Sequence, residues 1–463
     1  MNSLVDGGAP GMTAGERRAA AALAGLYALR MLGLFLVLPV FALYAEELDG
    51  TTPLLAGVAI GIYGLTQACL QIPFGLLSDR FGRKRLIILG LILFLLGSVA
   101  AALADSIVGV IVGRALQGAG AISAAVLALA ADLTREQHRT KVMAVIGISI
   151  GMVFALSMVL GPVLNGWIGV PGIFWLTALL SLLAIGMTYY VIPQPAHSYR
   201  HRDTLPVPAL FQRVLTDAQL LRLNFGILIL HMLLTATFVA IPLALRDGAG
   251  FPAAQQWEIY LPAQLLSIVA VVPFIILAEK RRFLKPVFLG AILALGLTEL
   301  GLAHGYHNLL ALGLLVFAFF TSFNLLEASL PSLISKLAPP DAKGTALGVY
   351  STSQFFGAFL GGVMGGWMHG LFGLQGVFAF AALGALLWFG VAYSMDNPRP
   401  LSSYMLNVGA LDEFEASRLA RQLNQVRGVV EAVVIAAEGV AYLKVDRNTL
   451  DRAALQEISV AKV

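Results

Sequence analysis

Between Leu54 and Ala104 two stretches free of charged residues flank one short, intensely charged island, Asp79-Arg80-Phe81-Gly82-Arg83-Lys84-Arg85. Leu54–Leu77 and Leu86–Ala104 are each long enough to cross the roughly 30 Å hydrocarbon core of a bilayer as a helix. In lipid the backbone must satisfy its own hydrogen bonds, which leaves the helix as the open-ended solution. A basic island this tight fits a turn between two membrane helices at the cytoplasmic surface. Composition agrees. Charged residues are 12% of the 463 and hydrophobic residues 58%, with mean hydropathy +0.83, whereas soluble chains carry about 25% charge. The class predicted is an all-α polytopic membrane protein.

Apolar runs of spanning length fall near 19–44, 54–77, 86–104, 107–130, 142–168, 172–192, 223–245, 257–278, 286–303, 309–335, 345–370 and 373–394, predicting twelve transmembrane helices. The first run follows Glu16-Arg17-Arg18 and is too long for a signal-peptide core, so it reads as a retained helix. Basic residues cluster in alternate loops: Arg80/Arg83/Lys84/Arg85, Arg135/Arg139/Lys141, Arg200/Arg202/Arg213/Arg222, Lys280/Arg281/Arg282/Lys285 and Lys336/Lys343. Loops of the other parity contain only Arg246. Both termini and the basic loops are therefore predicted to be cytoplasmic. The net charge of +4 reports those loops and no nucleic-acid partner. The single cysteine, Cys69, excludes a disulfide framework and a cysteine metal site.

The longest connection, 193–222, splits the helices into bundles 1–192 and 223–395. Leu210–Arg222 within it has the pattern of an amphipathic surface helix. The halves are related by self-comparison. At an offset of 204, Leu133, Gly161, Gly166, Gly169, Gly172 and Phe174 meet Leu337, Gly365, Gly370, Gly373, Gly376 and Phe378. Duplicated six-helix units place a substrate site between the halves near the bilayer midplane. After a linker at 396–402 the composition turns soluble. Residues 403–463 read as β-α-β-β-α-β, the ferredoxin-like split pattern, with a last strand at 459–463. A unit of this size has a small core and is expected to dock on its own membrane domain or to bind a regulator.

Charges inside the predicted helices carry the functional expectation, because a charge at bilayer depth costs roughly 2.5–3.5 kcal/mol on insertion scales and normally faces a cavity or a partner. Arg30, Arg114, His231 and Glu327 lie in helices one, four, seven and ten, which correspond between repeats. Two alternatives stand at this point: an Arg–Glu pair holding helices together, or a proton and substrate site in a central cavity. Glu327 and His231 can titrate, while the arginines stay charged. In helix five, Gly147, Gly151, Ser157, Gly161 and Gly166 suit close helix contact, and Gly161-Pro162 suits a bend.

Gly75-x-x-x-Asp79-Arg80-x-Gly82-Arg83-Lys84-Arg85 resembles the signature loop between helices two and three of the major facilitator superfamily. Arg114-x-x-Gln117-Gly118 resembles its fourth-helix motif. Gly161-Pro162-x-x-Asn165-Gly166 resembles the fifth-helix motif of its antiporters, with Asn165 and Ser157 where glycines are usual. Arg30-Met31-Leu32-Gly33, Asn324-Leu325-Leu326-Glu327-Ala328, Gly348-Val349-Tyr350-Ser351-Thr352-Ser353-Gln354-Phe355 and the appended small domain are similar to the YajR group of drug-efflux-like transporters. The resemblance implies a cavity containing Arg30, Arg114, Gln117, His231, Asn324, Glu327, Tyr350 and Gln354. It implies a conformational latch of Gly75, Asp79, Arg80, Gly82, Arg83 and Asp132. In that latch Gly75 would let helices two and eleven approach, Asp79 would cap helix eleven near Gly344, and Arg83 would pair with Asp132. The counterpart Glu279-Lys280-Arg281-Arg282 lacks the glycines, so the latch is expected on one side only.

The function expected is proton-driven export of a small molecule across a bacterial-type inner membrane, by a carrier that is not an enzyme. It needs no metal and no cofactor beyond the proton gradient. The alternative is a membrane sensor whose C-terminal domain reads a cytoplasmic ligand. No metal cluster or nucleophile–base constellation is visible, and the tail has neither cysteines nor a basic-aromatic strand for nucleic acid.

Overall fold

A computed structural model of the chain describes residues 11–194, 208–280, 283–397, 401–409, 411–436, 439–446, 449–451 and 454–455. Its helices are α1 (Ala14–Phe35), α2 (Phe41–Ala45), α3 (Pro53–Phe81), α4 (Arg83–Ala102), α5 (Ile107–Ala119), α6 (Ser123–Asp132), α7 (Glu136–Tyr190), α8 (Phe211–Thr216), α9 (Ala218–Leu243), α10 (Trp257–Lys280), α11 (Leu284–Gly305), α12 (Leu309–Leu337) and α13 (Lys343–Tyr393). Helix α14 (Glu413–Gln425) and strands β1 (Leu401–Asn407), β2 (Val429–Ile435) and β3 (Val440–Asp446) form the tail.

Among the described residues ten helical stretches are long and apolar enough to cross a membrane. Two of them, α7 and α13, break at a glycine of positive φ, Gly169 (φ 67°) and Gly373 (φ 66°). These two glycines are the pair matched by the offset of 204. The chain reverses at each. A Cβ on Gly161 would meet Leu36, so α7 runs alongside α1 before the break, while Gly33 lies on Thr177 and Gly25 on Met187, an antiparallel course after it. Gly357, Gly361 and Gly365 pack on Leu228, Met232 and Ala236 of α9, whereas Gly226 meets Trp388. Division at the two breaks yields twelve apolar segments.

Large apolar side chains such as Met152, Leu297 and Leu310 stand exposed along these helices. In a soluble protein that surface would aggregate; here it is the lipid face. Association of the helices depends on close packing rather than on further removal from water. The close seam between the two halves joins α3 to α13. A Cβ on Gly57 would overlap the Gly362 carbonyl, and one on Gly362 would overlap the Gly57 carbonyl.

Three expectations change. The surface helix over 210–222 is only the six-residue α8, because Asp217 accepts from the amides of Gln219 and Leu220 at 2.8 and 3.1 Å and starts α9 at Ala218. Helix four is interrupted at Gly120–Ile122 between α5 and α6. Within helix five, Gly147, Gly151 and Gly166 meet nothing within 4 Å, so among these glycines Gly161 alone makes a close contact, while Ser157 is fully buried. The dihedrals stay helical through Gly161-Pro162 and the break falls at Gly169.

The tail forms an antiparallel sheet in the order β1-β3-β2, with Leu401 opposite Asp446 and Ile435 opposite Val440. This is the split βαβ arrangement. Leu419 and Leu423 of α14 pack on Ala432, Leu443 and Val445. Asn424 fixes the helix to β2 by a reciprocal pair of bonds with the Ala432 backbone, at 3.0 and 3.1 Å. The strand expected at 459–463 and half of the second helix expected at 449–458 lie outside the described residues.

Gly362→Leu is expected to destabilise the fold by about 1–3 kcal/mol or more through overpacking. Gly151→Leu, at a position with open space, should leave thermal unfolding in detergent unchanged.

Candidate functional site

The expected cavity residues fall into two polar clusters, one in each half. In the first, Arg30 is buried where α1 crosses α3 and the break after α5. Its Nη2 donates to the Tyr63 hydroxyl (2.9 Å), Gln67 Oε1 (2.8 Å) and the Gly120 carbonyl (2.9 Å), and Nη1 donates to Ser123 Oγ (3.4 Å). The helix break thus exposes a carbonyl that a continuous helix would have used. Arg114 donates to the carbonyls of Ala59 and Ile60 at 3.4 Å and to Gln117 Oε1 at 3.0 Å. Gln117 in turn donates to Ser98 (2.8 Å). The Tyr63 ring lies 5.4 Å from the Arg114 guanidinium, so one tyrosine serves both arginines. All of Arg30's partners are neutral and lie in the first half; an Arg30–Glu327 ion pair is not formed.

The second cluster joins α9, α12 and α13. Gln354 Nε2 lies 2.8 Å from His231 Nε2 and donates to Glu327 Oε1 at 3.4 Å. The amide is a donor, so His231 Nε2 accepts and the imidazole carries its own proton on Nδ1. Glu327 Oε2 is 3.8 Å from His231 Nε2, and the Glu327 side chain remains 36% exposed. Three buried polar atoms here are without a hydrogen-bond partner: His231 Nδ1, Glu327 Oε2 and the Tyr350 hydroxyl. Asn324 is directed elsewhere, to Ser267 of α10 (2.9 Å). The clusters approach each other across the seam, where the Tyr63 ring is 6.4 Å from that of Phe355, the residue after Gln354. Phe154 and Phe323, 5.8 Å apart, form a second aromatic crossing beside His231.

The charged island forms a compact ion-pair network. Gly82 (φ 94°) is the turn between α3 and α4, a conformation that favours glycine. Arg83 is buried; its Nε donates to Asp132 Oδ2 at 2.7 Å, and its Nη1 to Asp79 Oδ1 (2.5 Å) and Ser78 Oγ (3.2 Å). Arg80 is exposed and lies over Phe81. Gly75 differs from expectation. A Cβ there would meet Ala124 of α6, and the close approach of α3 to α13 occurs at Gly57, Gly61 and Gly64. Arg281, Arg282 and the side chains of Glu279 and Lys280 lie outside the described residues.

Sequence reasoning missed several members. Tyr63, Gln67 and Gln71 are buried on one face of α3, and their four-residue spacing in a charge-free run was a usable signal. Gln71 reaches Thr352 of α13 at 3.1 Å. Glu299 is fully buried in α11 and accepts from Thr237 at 2.7 Å; a lone carboxylate in an apolar run was equally readable. Between the start of α1 and the start of α7, Arg135 makes a bidentate pair with Glu16 (2.9 and 2.8 Å), which holds the guanidinium above its ordinary range. Among the described residues no group of three or more His, Cys, Asp or Glu could hold a metal.

Twelve apolar segments in related halves, an ion-pair network at a basic turn and a polar cluster in each half fit a membrane carrier. Residues 23–362 and 280–404 match the Major Facilitator Superfamily, and the chain belongs to that family, whose members are carriers and not enzymes. It is 48% identical to the inner membrane transport protein YajR of Escherichia coli over 96% of this chain and 98% of that one. It is 26% identical to the multidrug resistance protein MdtH of Proteus mirabilis over 73% and 84%. Among solved structures it is similar to a bacterial homologue of the human lysosomal transporter Spinster, with TM-score 0.69 and 13% identity over 83% and 97% of the chains.

Asp132→Asn removes one carboxylate from a buried guanidinium, and such a loss costs about 3–5 kcal/mol where the charge is left uncompensated. A drop in the thermal midpoint that is insensitive to added salt is expected, in contrast to the salt-sensitive effect of neutralising the exposed Arg246–Glu46 pair.

Proposed function

We propose that the chain is a secondary active transporter of the inner membrane that exports a small molecule in exchange for protons by alternating access, with both termini in the cytoplasm. The observation that carries this reading is the His231–Gln354–Glu327 cluster with its unpartnered atoms. A carboxylate only accepts hydrogen bonds, and a carboxylic acid also donates one. Proton arrival at Glu327 therefore rewrites the cluster: the acid can donate to an acceptor such as the Tyr350 oxygen, while loss of the proton favours a doubly protonated His231 3.8 Å away. Gln354 follows, because its amide faces both groups. The charge states have different interaction energies with α9 and α13, and such a difference shifts a conformational equilibrium.

The first half supplies two fixed positive charges, Arg30 and Arg114, that reach the seam through Tyr63. Movement of α3 against α13 transmits the change. Opening toward the cytoplasm requires separation of the halves near the Asp79–Arg83–Asp132 network, which in this reading favours the outward-facing state. The names carried by YajR and MdtH support inner-membrane location and efflux respectively.

In proteoliposomes with an imposed pH gradient, a panel of anionic, zwitterionic and cationic compounds is expected to contain at least one that the wild-type chain moves against the gradient. Glu327→Gln should reduce that flux to the level of protein-free vesicles, and Tyr350→Phe should slow it. Retention of pH-dependent flux by Glu327→Gln would remove Glu327 from the mechanism. A sensor role draws on the tail's contact with the membrane helices; saturable ligand binding by the full chain without flux of any compound would favour it.

A further inference from the structure

Among the described residues the tail meets the membrane portion around the end of α12 and the turn that follows it. Lys444 of β3 is buried, and its ammonium donates to the carbonyl of Leu337, the last residue of α12, at 2.8 Å. The final carbonyls of a helix have no donor within the helix, and that end carries partial negative charge. Ala338 N–H returns to the Ile334 carbonyl and Lys336 lies in the last turn of α12; the tail adds a donor to the Leu337 carbonyl itself.

A second contact comes from the connection between the halves. Arg213 of α8 forks onto both oxygens of Asp341 at 3.1 Å, in the turn Pro340–Ala342 between α12 and α13, and its Nη2 reaches Glu431 of β2 at 3.1 Å. Glu431 also lies 4.0 Å from Lys444. Burial pushes the Lys444 ammonium below its ordinary range, while Glu431 acts in the opposite sense.

The two helices joined by this turn are those that carry the second cluster. Glu327 lies ten residues before Leu337 on α12, about 15 Å along the axis. Tyr350 and Gln354 lie within the first turns of α13 after its start at Lys343. Pro331 lies between Glu327 and Leu337 and leaves the Glu327 carbonyl without its ladder donor, while α12 continues as one helix to Leu337, so a displacement of its end reaches the cluster past that proline.

We propose that the C-terminal domain is a brace on the α12–α13 turn, seated through Lys444 and Arg213, and that its seating is linked to the state of the Glu327–Gln354–His231 cluster. This rests on the reading of that cluster as the proton site. Linkage is reciprocal: whatever biases the cluster biases the seating, and release of the tail biases the cluster equally. A cytoplasmic factor that pulled the tail away would thereby adjust the carrier without entering its cavity.

Hydrogen–deuterium exchange on the full chain in lipid nanodiscs tests both parts. Lys444→Met and Arg213→Gln are each expected to raise exchange several-fold across the end of α12 and the first turns of α13. The amides of Leu443 and Val445 should remain slow, reporting a folded tail, and Lys444→Arg should restore the wild-type pattern. Glu327→Gln is expected to alter exchange in β2, β3 and the turn. No change on either tail-side substitution overturns the brace, and no effect of Glu327→Gln on the tail overturns the linkage. Failure of pH-driven flux with the exchange linkage intact would instead reject the transport reading, so the two failures are distinguishable.

Discussion

An arginine at bilayer depth must be surrounded by oxygen, and Arg30 shows how much structure that requirement organises. Its guanidinium draws Tyr63 and Gln67 from α3, Ser123 from α6, and a carbonyl from a break between α5 and α6. The break supplies an acceptor that an uninterrupted helix would consume. Because Tyr63 also faces Arg114 and packs near Phe355, the position of the whole first-half cluster is tied to the seam with the second half. The backbone-to-backbone contact of Gly57 with Gly362 brings that seam close enough for the coupling to operate. A charge that is costly to bury thus becomes the reference point for four segments.

The second half has the opposite character. Its glutamate side chain is partly exposed while Oε2 is buried and unpartnered, its histidine and tyrosine hold unpartnered atoms, and its glutamine serves two groups at once. A saturated cluster keeps one arrangement; an undersatisfied one can take several, depending on where protons reside. The pairing of a densely bonded first-half cluster, in which only Arg30 Nε among the guanidinium nitrogens has no partner, with a less satisfied second half suits alternating access, in which one bundle moves against the other. The ion-pair network around Arg83 and the tail's contact at Leu337 both lie at ends of the membrane helices, which in the proposed reading face the cytoplasm.

The membrane class, the repeat and the tail's split βαβ order were legible because they rest on period and composition. Charge-free runs announce spans regardless of partners, and the offset of 204 matched Gly169 to Gly373 before either was known to be the reversal point. Arg83 and Asp132 were readable as a pair through the signature loop. The role of Gly75 was not, since which glycine carries a close approach depends on helix rotation, a tertiary quantity. The division of the charged residues into two clusters was hidden for the same reason. Arg30 and Glu327 look like natural partners in a list of buried charges, yet neutral oxygens nearer to Arg30 satisfy it first. Lys444 reads in sequence as an ordinary strand residue, and only the fold reveals it as a helix cap.

The central claim is that the protonation of Glu327 moves the halves relative to each other, and it can be tested without knowing the substrate. Spin labels at the exposed positions Arg85 and Gln212, in a chain with Cys69→Ala, would report the cytoplasmic separation of the halves in nanodiscs by pulsed electron resonance. The account predicts that the distance distribution shifts with pH in the wild-type background and is fixed in one form in Glu327→Gln. An identical pH-dependent shift in both backgrounds would contradict it.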